Sequence, residues 1–155
     1  MNIGISESNR LSVSQQLMTL LSNEHILYIK TRKAHWNVEG MDFKAAHSYF
    51  QEQYEEIEGF IDDIAERIRS LGHKPTATMK SFIDNANINE EPAESDSSYS
   101  LISWLLVDHE AIITYMRGII QQINDEYGDA GTSNFITDLM EKHEKMAWML
   151  RSHLV

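Results

Sequence analysis

Two histidines flank a short glycine-containing break in the sequence TRKAHWNVEGMDFKAAH, which runs from Thr31 to His47. His35 and His47 stand 12 positions apart, and Trp36 follows the first of them directly. Imidazole nitrogens bind divalent transition metals, Fe(II) among them. The chain contains no cysteine, so any metal has to be held by His, Asp, Glu or amide groups. Packing at a helix corner also brings histidines together, and the spacing alone leaves both interpretations open.

A second set of metal-binding residue types lies on the helix predicted after the break. At about 100° per residue, a polar stripe runs beside the apolar stripe of this helix. The polar stripe comprises His47, Gln51, Glu55, Glu58, Asp62 and Glu66. Asp62 and Glu66 are four positions apart, so their carboxylates can converge on one ion. Acidic pairs of this spacing are also typical of a helix that simply meets solvent.

The length of this helix separates the histidines from the acidic pair. His47 and Asp62 are 15 residues apart, or roughly 22 Å along a helix, whereas a metal lies about 2 to 2.5 Å from each ligand. If Asp62 and Glu66 bind the same ion as the histidines, two different subunits supply the two pairs. Two antiparallel copies of the helix about a two-fold axis would form two equivalent sites, and Gly59 would permit their close approach.

The elements that must position these residues are predicted to be helices, because apolar residues recur at helical spacing throughout the chain. The long helical segments run from Ser12 to near Trp36, from Phe43 to Leu71, from about Ser98 to about Tyr127, and onward from Thr132. The polar segment between the second and third contains one apolar group, Met79, Phe82 and Ile83, that predicts a short helix. Short breaks on either side of one long crossover predict an all-α, ferritin-like four-helix bundle.

Size and charge set further limits. The 155 residues, 42% of them hydrophobic, predict a single domain over 1–155 in which residues 1–11 form a short flexible extension. The net charge of −11 repels nucleic-acid phosphates, and no basic patch or basic tail offsets it. We find neither a secretory signal nor an apolar stretch that approaches the roughly 18 residues of a membrane span. The sequence therefore predicts a cytoplasmic protein with no membrane partner and weak direct DNA binding at most.

The residues from Thr31 to Ile68 closely resemble the signature of the Dps proteins, or mini-ferritins, and the segment from Gly128 to Leu154 is similar to their last helix. The resemblance covers essentially the whole chain after the first dozen residues. It implies a hollow dodecamer that oxidises Fe(II), preferentially with hydrogen peroxide, and stores Fe(III) mineral inside. Such a protein protects the cell from oxidative stress. No Glu-x-x-His motif occurs, which disfavours a di-iron site inside a single bundle.

The family's ferroxidase site lies between two-fold-related subunits, which agrees with the distance between the two ligand pairs. The resemblance places His35 and His47 on the histidine ligands of iron. It places Asp62 and Glu66 on the carboxylate ligands from the partner subunit. Trp36 matches a tryptophan beside the site that takes up stray oxidising equivalents.

Two departures from the family pattern concern iron. Gln51 stands where an aspartate is common, and a neutral amide is a weaker ligand, which puts the second iron position in doubt. The family's iron pore, on the three-fold axis near the start of the last helix, matches Asp129 and Asp138. Asn134 stands where that pore often has an acid, and Glu141 is a further candidate.

Alternatives remain at this stage. The chain can be a nucleoid-associated DNA-binding protein with a weakened iron site, or a structural cage or antigen that has lost oxidation through Gln51. Trp104 and Trp148 are interpreted as core residues. The remaining histidines are interpreted as core-edge or surface residues without partners: His25, His73, His109, His143 and His153.

Overall fold

The computed structural model describes residues 1–155, and its regular elements are all helices. They are α1 (Glu7–Asn37), α2 (Phe43–Ser70), α3 (Met79–Asn85), α4 (Ser98–Asp125) and α5 (Ala130–Ser152). None of these helices combines the length and the apolar character that crossing a bilayer requires. The predicted all-α, ferritin-like four-helix bundle, with a short helix in the crossover between its second and third long helices, is confirmed.

The bundle is built from two helical hairpins. Helix α1 packs along α2, and α4 packs along α5. Helix α1 also contacts α4 and the short helix α3. The apolar stripes read from the sequence form one continuous core, in which Leu17, Phe50, Ile64 and Ile112 are fully buried. Each such side chain contributes about 1.5–3 kcal/mol on leaving water, so the core holds the four long helices in fixed register.

Helix α1 begins at Glu7, so the start predicted at Ser12 is wrong by nearly one and a half turns. The Ser6 hydroxyl accepts a hydrogen bond from the Asn9 amide and caps the helix. Arg10, in the first turns, is buried and donates to the carbonyl oxygen of Leu71 at 3.1 Å. The apolar pattern of the sequence does not extend into these turns, because a charged residue, Arg10, occupies the buried position. Flexibility of residues 1–11 stays a prediction.

The break between α1 and α2 is a tight corner. Gly40 has φ +126°, a conformation that residues with a Cβ rarely adopt. The Glu39 amide donates to the carbonyl oxygen of Asp96 at 2.9 Å, and this bond ties the corner to the end of the crossover. The corner therefore fixes the end of α1 against the start of α2, the two places where the histidine pair lies.

Candidate metal centre

His35 and His47 face each other across the α1–α2 corner. Their rings stack with centroids 3.7 Å apart and an angle of 23° between the planes. The Nδ1 atom of His35 donates to the carbonyl oxygen of His47 at 2.8 Å, and Nδ1 of His47 donates to the carbonyl oxygen of His35 at 2.7 Å. A carbonyl oxygen only accepts, so each neutral ring carries its proton on Nδ1 and keeps a lone pair on Nε2. Donation of one ring N–H to a backbone carbonyl is a common way in which metal-binding histidines fix their tautomer.

Aromatic side chains surround the histidine pair. Tyr54 meets the His35 ring edge-on at 5.3 Å, and Phe43 lies 5.1 Å from the His47 ring. Tyr28 meets Tyr54 edge-on at 6.0 Å. The two imidazoles are therefore held by packing as well as by hydrogen bonds, which limits their movement on metal binding.

Arg32 places a permanent positive charge beside this aromatic group. Its guanidinium carbon lies 4.8 Å from the centre of the Tyr54 ring and 5.2 Å from the Trp36 ring. A hydrogen bond with the Tyr28 hydroxyl at 2.6 Å raises the pKa of Arg32 above its ordinary value. Trp36 itself is 61% exposed in the single chain. Its indole is thus open to solvent or to a neighbouring subunit on one face.

Asp62 and Glu66 lie on the exposed side of α2, far from the histidines. Gln51 is also exposed, one turn after His47, and donates to a Glu55 carboxylate oxygen at 2.7 Å. No group of three or more His, Asp or Glu side chains in one chain is arranged to hold a metal ion. The structure thus brings the two histidines together and leaves the two carboxylates apart from them, in line with the helix length.

The two aspartates matched to an iron pore differ in their surroundings. Asp138 is exposed on α5. Asp129 is 2% exposed and caps α5, where it accepts hydrogen bonds from the Thr132 amide at 2.9 Å and the Thr132 hydroxyl at 2.5 Å. It also accepts from the Arg67 guanidinium at 3.1 Å. The Asp129 carboxylate therefore has a structural role, in joining α2 to the start of α5.

Replacement of Asp129 by alanine is expected to lower the free energy of unfolding by about 2 to 4 kcal/mol, because it removes a helix cap and leaves Arg67 unpaired. Urea-induced unfolding at a fixed protein concentration measures the effect. Asp138→Ala is the matched control, since it removes an exposed aspartate from the same helix. Equal stability of the two variants would show that the bonds of Asp129 do not stabilise the fold.

Sequence reasoning missed a buried polar group inside the bundle. Glu24, His109 and His143 are all 0% exposed, on α1, α4 and α5. Burial, and then the neighbouring His143, lower the pKa of His109 well below its ordinary value, so His109 is neutral near pH 7. The interpretation of His109 and His143 as partnerless core-edge or surface residues is wrong.

A sequence signal for this group did exist. Glu24 follows the buried Leu20 by four positions and precedes the buried Leu27 by three, so it stands on the core face of α1. His143 has the same relation to Leu139 and Met146 on α5. A charged residue in the register of an apolar stripe predicts a buried polar partner from another helix.

The assignment of Trp148 to the core is also wrong, because this side chain is 61% exposed in the single chain. Trp104 is partly buried against the core, and its indole donates to the carbonyl oxygen of Glu91 at 2.8 Å.

Comparison with known protein families and sequences gives matches that cover most of this chain. The Ferritin family model, a ferritin-like domain, matches residues 14–155. An uncharacterized low temperature-induced protein of Nostoc sp. is 39% identical over 153 residues, which cover 99% of this chain and 86% of that protein. The DNA protection during starvation protein of Brevibacillus brevis is 32% identical over 145 residues, which cover 90% of this chain and 96% of that one.

Solved structures agree with these relatives. The DPS protein from Vibrio cholerae O1, described as a member of a broad superfamily of ferritin-like diiron-carboxylate proteins, superposes with a TM-score of 0.93 at 30% identity. The match covers 100% of this chain and 97% of that chain.

Proposed function

Since this chain belongs to the Dps family of ferritin-like proteins, whose role is iron storage and DNA protection, we propose that it is a ferroxidase whose sites lie between two-fold-related subunits. Fe(II) is its substrate, and hydrogen peroxide is the preferred oxidant. The observation that carries the proposal is the histidine pair, in which the hydrogen bonds of both Nδ1 atoms leave both Nε2 lone pairs free for a metal.

Asp62 and Glu66 of the partner subunit complete the ligand set in this proposal. Imidazole and carboxylate together suit Fe(II), and a small number of protein ligands leaves positions open for peroxide. The exposed carboxylates on α2 would lose water at such an interface and would then need a cation beside them. Iron supplies that cation.

The surface of the single chain near the histidines supports the proposal that a second subunit covers it. Trp36, Met41 and Phe43 expose large apolar side chains at this end of the bundle. On α2, a Cβ added at Gly59 would meet no atom within 4 Å. Glycine in an exposed helix interior costs about 1 kcal/mol relative to alanine, and close approach of a second α2 helix accounts for it.

The proposed reaction balances without a radical product. Two Fe(II) ions each lose one electron, and one hydrogen peroxide takes both electrons and two protons to form two waters. His35 and His47 hold the substrate iron through Nε2, and their Nδ1 bonds keep both rings in the binding orientation. Trp36, next to the site, takes up oxidising equivalents that escape the two-electron path. Arg32 holds one face of that indole.

Storage of the product requires a closed assembly. We propose a hollow dodecamer that keeps the Fe(III) mineral inside and admits Fe(II) through acidic pores. Asp138 is the better placed of the two pore aspartates to line such a passage, because its carboxylate is exposed, and Glu141 is exposed one turn further along α5. In this account DNA is protected by removal of iron and peroxide, and the net charge of −11 argues against tight DNA binding.

Anaerobic loading of the assembled protein with Fe(II), followed by either peroxide or dioxygen, tests this proposal. Ferric absorbance should rise faster with peroxide than with dioxygen, and a soluble mineral should remain with the protein on size-exclusion chromatography. Oxidation no faster than in buffer alone would instead favour the structural cage. A gel shift at low salt addresses the nucleoid-associated alternative, since the proposal predicts that DNA is not retained.

Substitution of Gln51 by aspartate is expected to raise Fe(II) binding at low iron concentration and to speed the first turnover about three- to tenfold. The reason is that a charged carboxylate one turn from His47 is a stronger ligand than an amide, and the expected factor corresponds to about 1 kcal/mol. Stopped-flow oxidation at one to two irons per site measures this. The matched control is Glu55→Gln, which alters the hydrogen-bond partner of Gln51. An unchanged rate in Gln51→Asp would mean that position 51 does not contact iron.

A further inference from the structure

A line of polar side chains crosses the apolar interior of the bundle and takes no part in the inter-subunit site. It consists of Glu24 on α1, His143 on α5 and His109 on α4, and all three are 0% exposed. Oε1 of Glu24 lies 2.9 Å from Nε2 of His143, and Nδ1 of His143 lies 3.0 Å from Nδ1 of His109. We call these three residues the buried line. It joins three of the four long helices through contacts between titratable groups.

The other charged groups near the buried line are paired with each other or lie beyond an apolar ring. On α2, Phe60 packs at 5.3 Å on the middle imidazole of the line, and Nζ of Lys142 lies 5.2 Å from the centre of the Phe60 ring. Asp108 precedes His109 on α4, but its carboxylate is paired with Lys30 of α1 at 2.5 Å. No Lys or Arg forms an ion pair with the carboxylate of the line. The line therefore has to balance its own charges.

The number of protons on the line follows from its contacts. A buried carboxylate without a compensating charge costs several kcal/mol, so Glu24 and His143 share one proton and have no net charge together. The contact between the two Nδ1 atoms needs one N–H group and one lone pair. When His143 supplies the N–H, His109 supplies the lone pair and carries its own proton on Nε2. This contact is a hydrogen bond only while His109 is neutral.

One additional proton on the line breaks this hydrogen bond. On His109 the proton occupies Nδ1, so two N–H groups face each other at 3.0 Å. It also adds a positive charge to a core that offers no second carboxylate. Burial, and then the neighbouring His143, lower the pKa of His109 well below its ordinary value of 6.5. The core therefore excludes a proton that an exposed histidine would accept in mild acid.

We propose that the buried line is a pH-sensitive switch that holds α1, α4 and α5 together while His109 is neutral and releases them when acid adds one proton to it. Release follows because water has to reach His109 before its imidazole can carry a charge. The switch is complete within one chain and needs no iron, so it is independent of the proposed ferroxidase function. In an assembly of such bundles, it makes the stability of every subunit depend on the acidity of the medium.

The direction of the pH effect follows from proton linkage. Below about pH 6.5, the unfolded chain binds a proton at position 109 that the folded chain does not bind. The contribution of His109 to stability is therefore fully present above about pH 6.5 and is lost as the pH falls below that value. This one residue should raise the unfolding constant by up to about tenfold for each pH unit. Urea-induced unfolding of the iron-free assembly between about pH 7.5 and pH 5, at a fixed protein concentration, measures the constant.

His109→Asn is the variant that isolates the switch. The side-chain oxygen of asparagine can accept a hydrogen bond from Nδ1 of His143, as the neutral imidazole does, but it does not titrate. Between about pH 7.5 and pH 5.5, we expect the unfolding constant to rise about tenfold less in this variant than in the unmodified protein. The matched control is His153→Asn, which removes an exposed histidine just after α5. Its pH profile should follow that of the unmodified protein.

Hydrogen exchange of the unmodified protein tests the switch without a substitution. Amides in the middle of α4 and α5 should lose protection at about pH 5.5 relative to about pH 7.5, after correction for the intrinsic pH dependence of exchange. Unchanged protection of these amides would overturn the proposal. Parallel unfolding profiles of His109→Asn and the unmodified protein would overturn it as well. Both measurements use iron-free protein, so neither result depends on ferroxidase activity.

Discussion

Joint replacement of His35 and His47 by alanine is expected to slow peroxide-driven Fe(II) oxidation by about 100-fold, which corresponds to about 2.7 kcal/mol of lost transition-state stabilisation. The two Nε2 lone pairs are the only nitrogen ligands in the proposed site. Without them the iron is held by carboxylates alone, which bind Fe(II) weakly and leave it unoriented toward peroxide. Stopped-flow ferric absorbance after anaerobic loading measures the loss.

The fold is expected to survive this double replacement. Each histidine donates its only protein hydrogen bond to a backbone carbonyl of the other, and the corner is held independently by the bond from Glu39 to Asp96. Alanine also favours helix at both positions. The control is His73→Ala with His153→Ala, which removes two histidines near other surfaces of the bundle. A rate within twofold of the unmodified protein in both double variants would show that iron is oxidised elsewhere.

Replacement of Asp62 by asparagine together with Glu66 by glutamine is expected to cause a loss of similar size, about 100-fold. A loss of this size would be unexpected for a single chain, because Asp62 lies roughly 22 Å and Glu66 roughly 28 Å along α2 from His47. Amides keep the size and polarity of the side chains and remove the charges that balance iron. Ferric absorbance under the same conditions gives the rate.

The control for the acidic pair is Glu56→Gln with Asp63→Asn. These exposed carboxylates are on the same helix but outside its polar stripe, so the change in net charge is identical. Their replacement should leave oxidation within about twofold, because a distant surface charge shifts an interaction by well under 1 kcal/mol. Equal losses in both double variants would mean that bulk charge, and not ligation, governs the rate.

Much of the fold follows from local features of the sequence. The apolar periodicity of α2, its end at Gly72 and the polar crossover each depend on residues close together in the chain, so the helix boundaries were predictable to within a few residues. The start of α1 was not, because burial of Arg10 depends on the carbonyl oxygen of Leu71, 61 positions away. Long-range hydrogen bonds of this kind leave no periodic signal.

The candidate sites show the same difference between local features, which the sequence predicts, and long-range contacts, which it does not. The pairing of His35 with His47 was predictable, because a short corner joins two adjacent helices. For Glu24 and His143, the register of each on an apolar stripe predicts burial, but their pairing with each other and with His109 was not predictable, since the three residues are on helices that meet only after the bundle forms. The ion pair of Asp129 with Arg67 was missed for a related reason, because Arg67 is on another helix.

A mixed assembly tests most directly whether the two ligand pairs come from different subunits. Subunits with His35→Ala and His47→Ala are dissociated, mixed in equal amounts with subunits carrying Asp62→Asn and Glu66→Gln, and reassembled. Random pairing makes half of the dimers mixed, and each mixed dimer has one intact site, so we expect about one quarter of the unmodified oxidation rate. A rate that stays at the average of the two inactive parents would contradict a shared site.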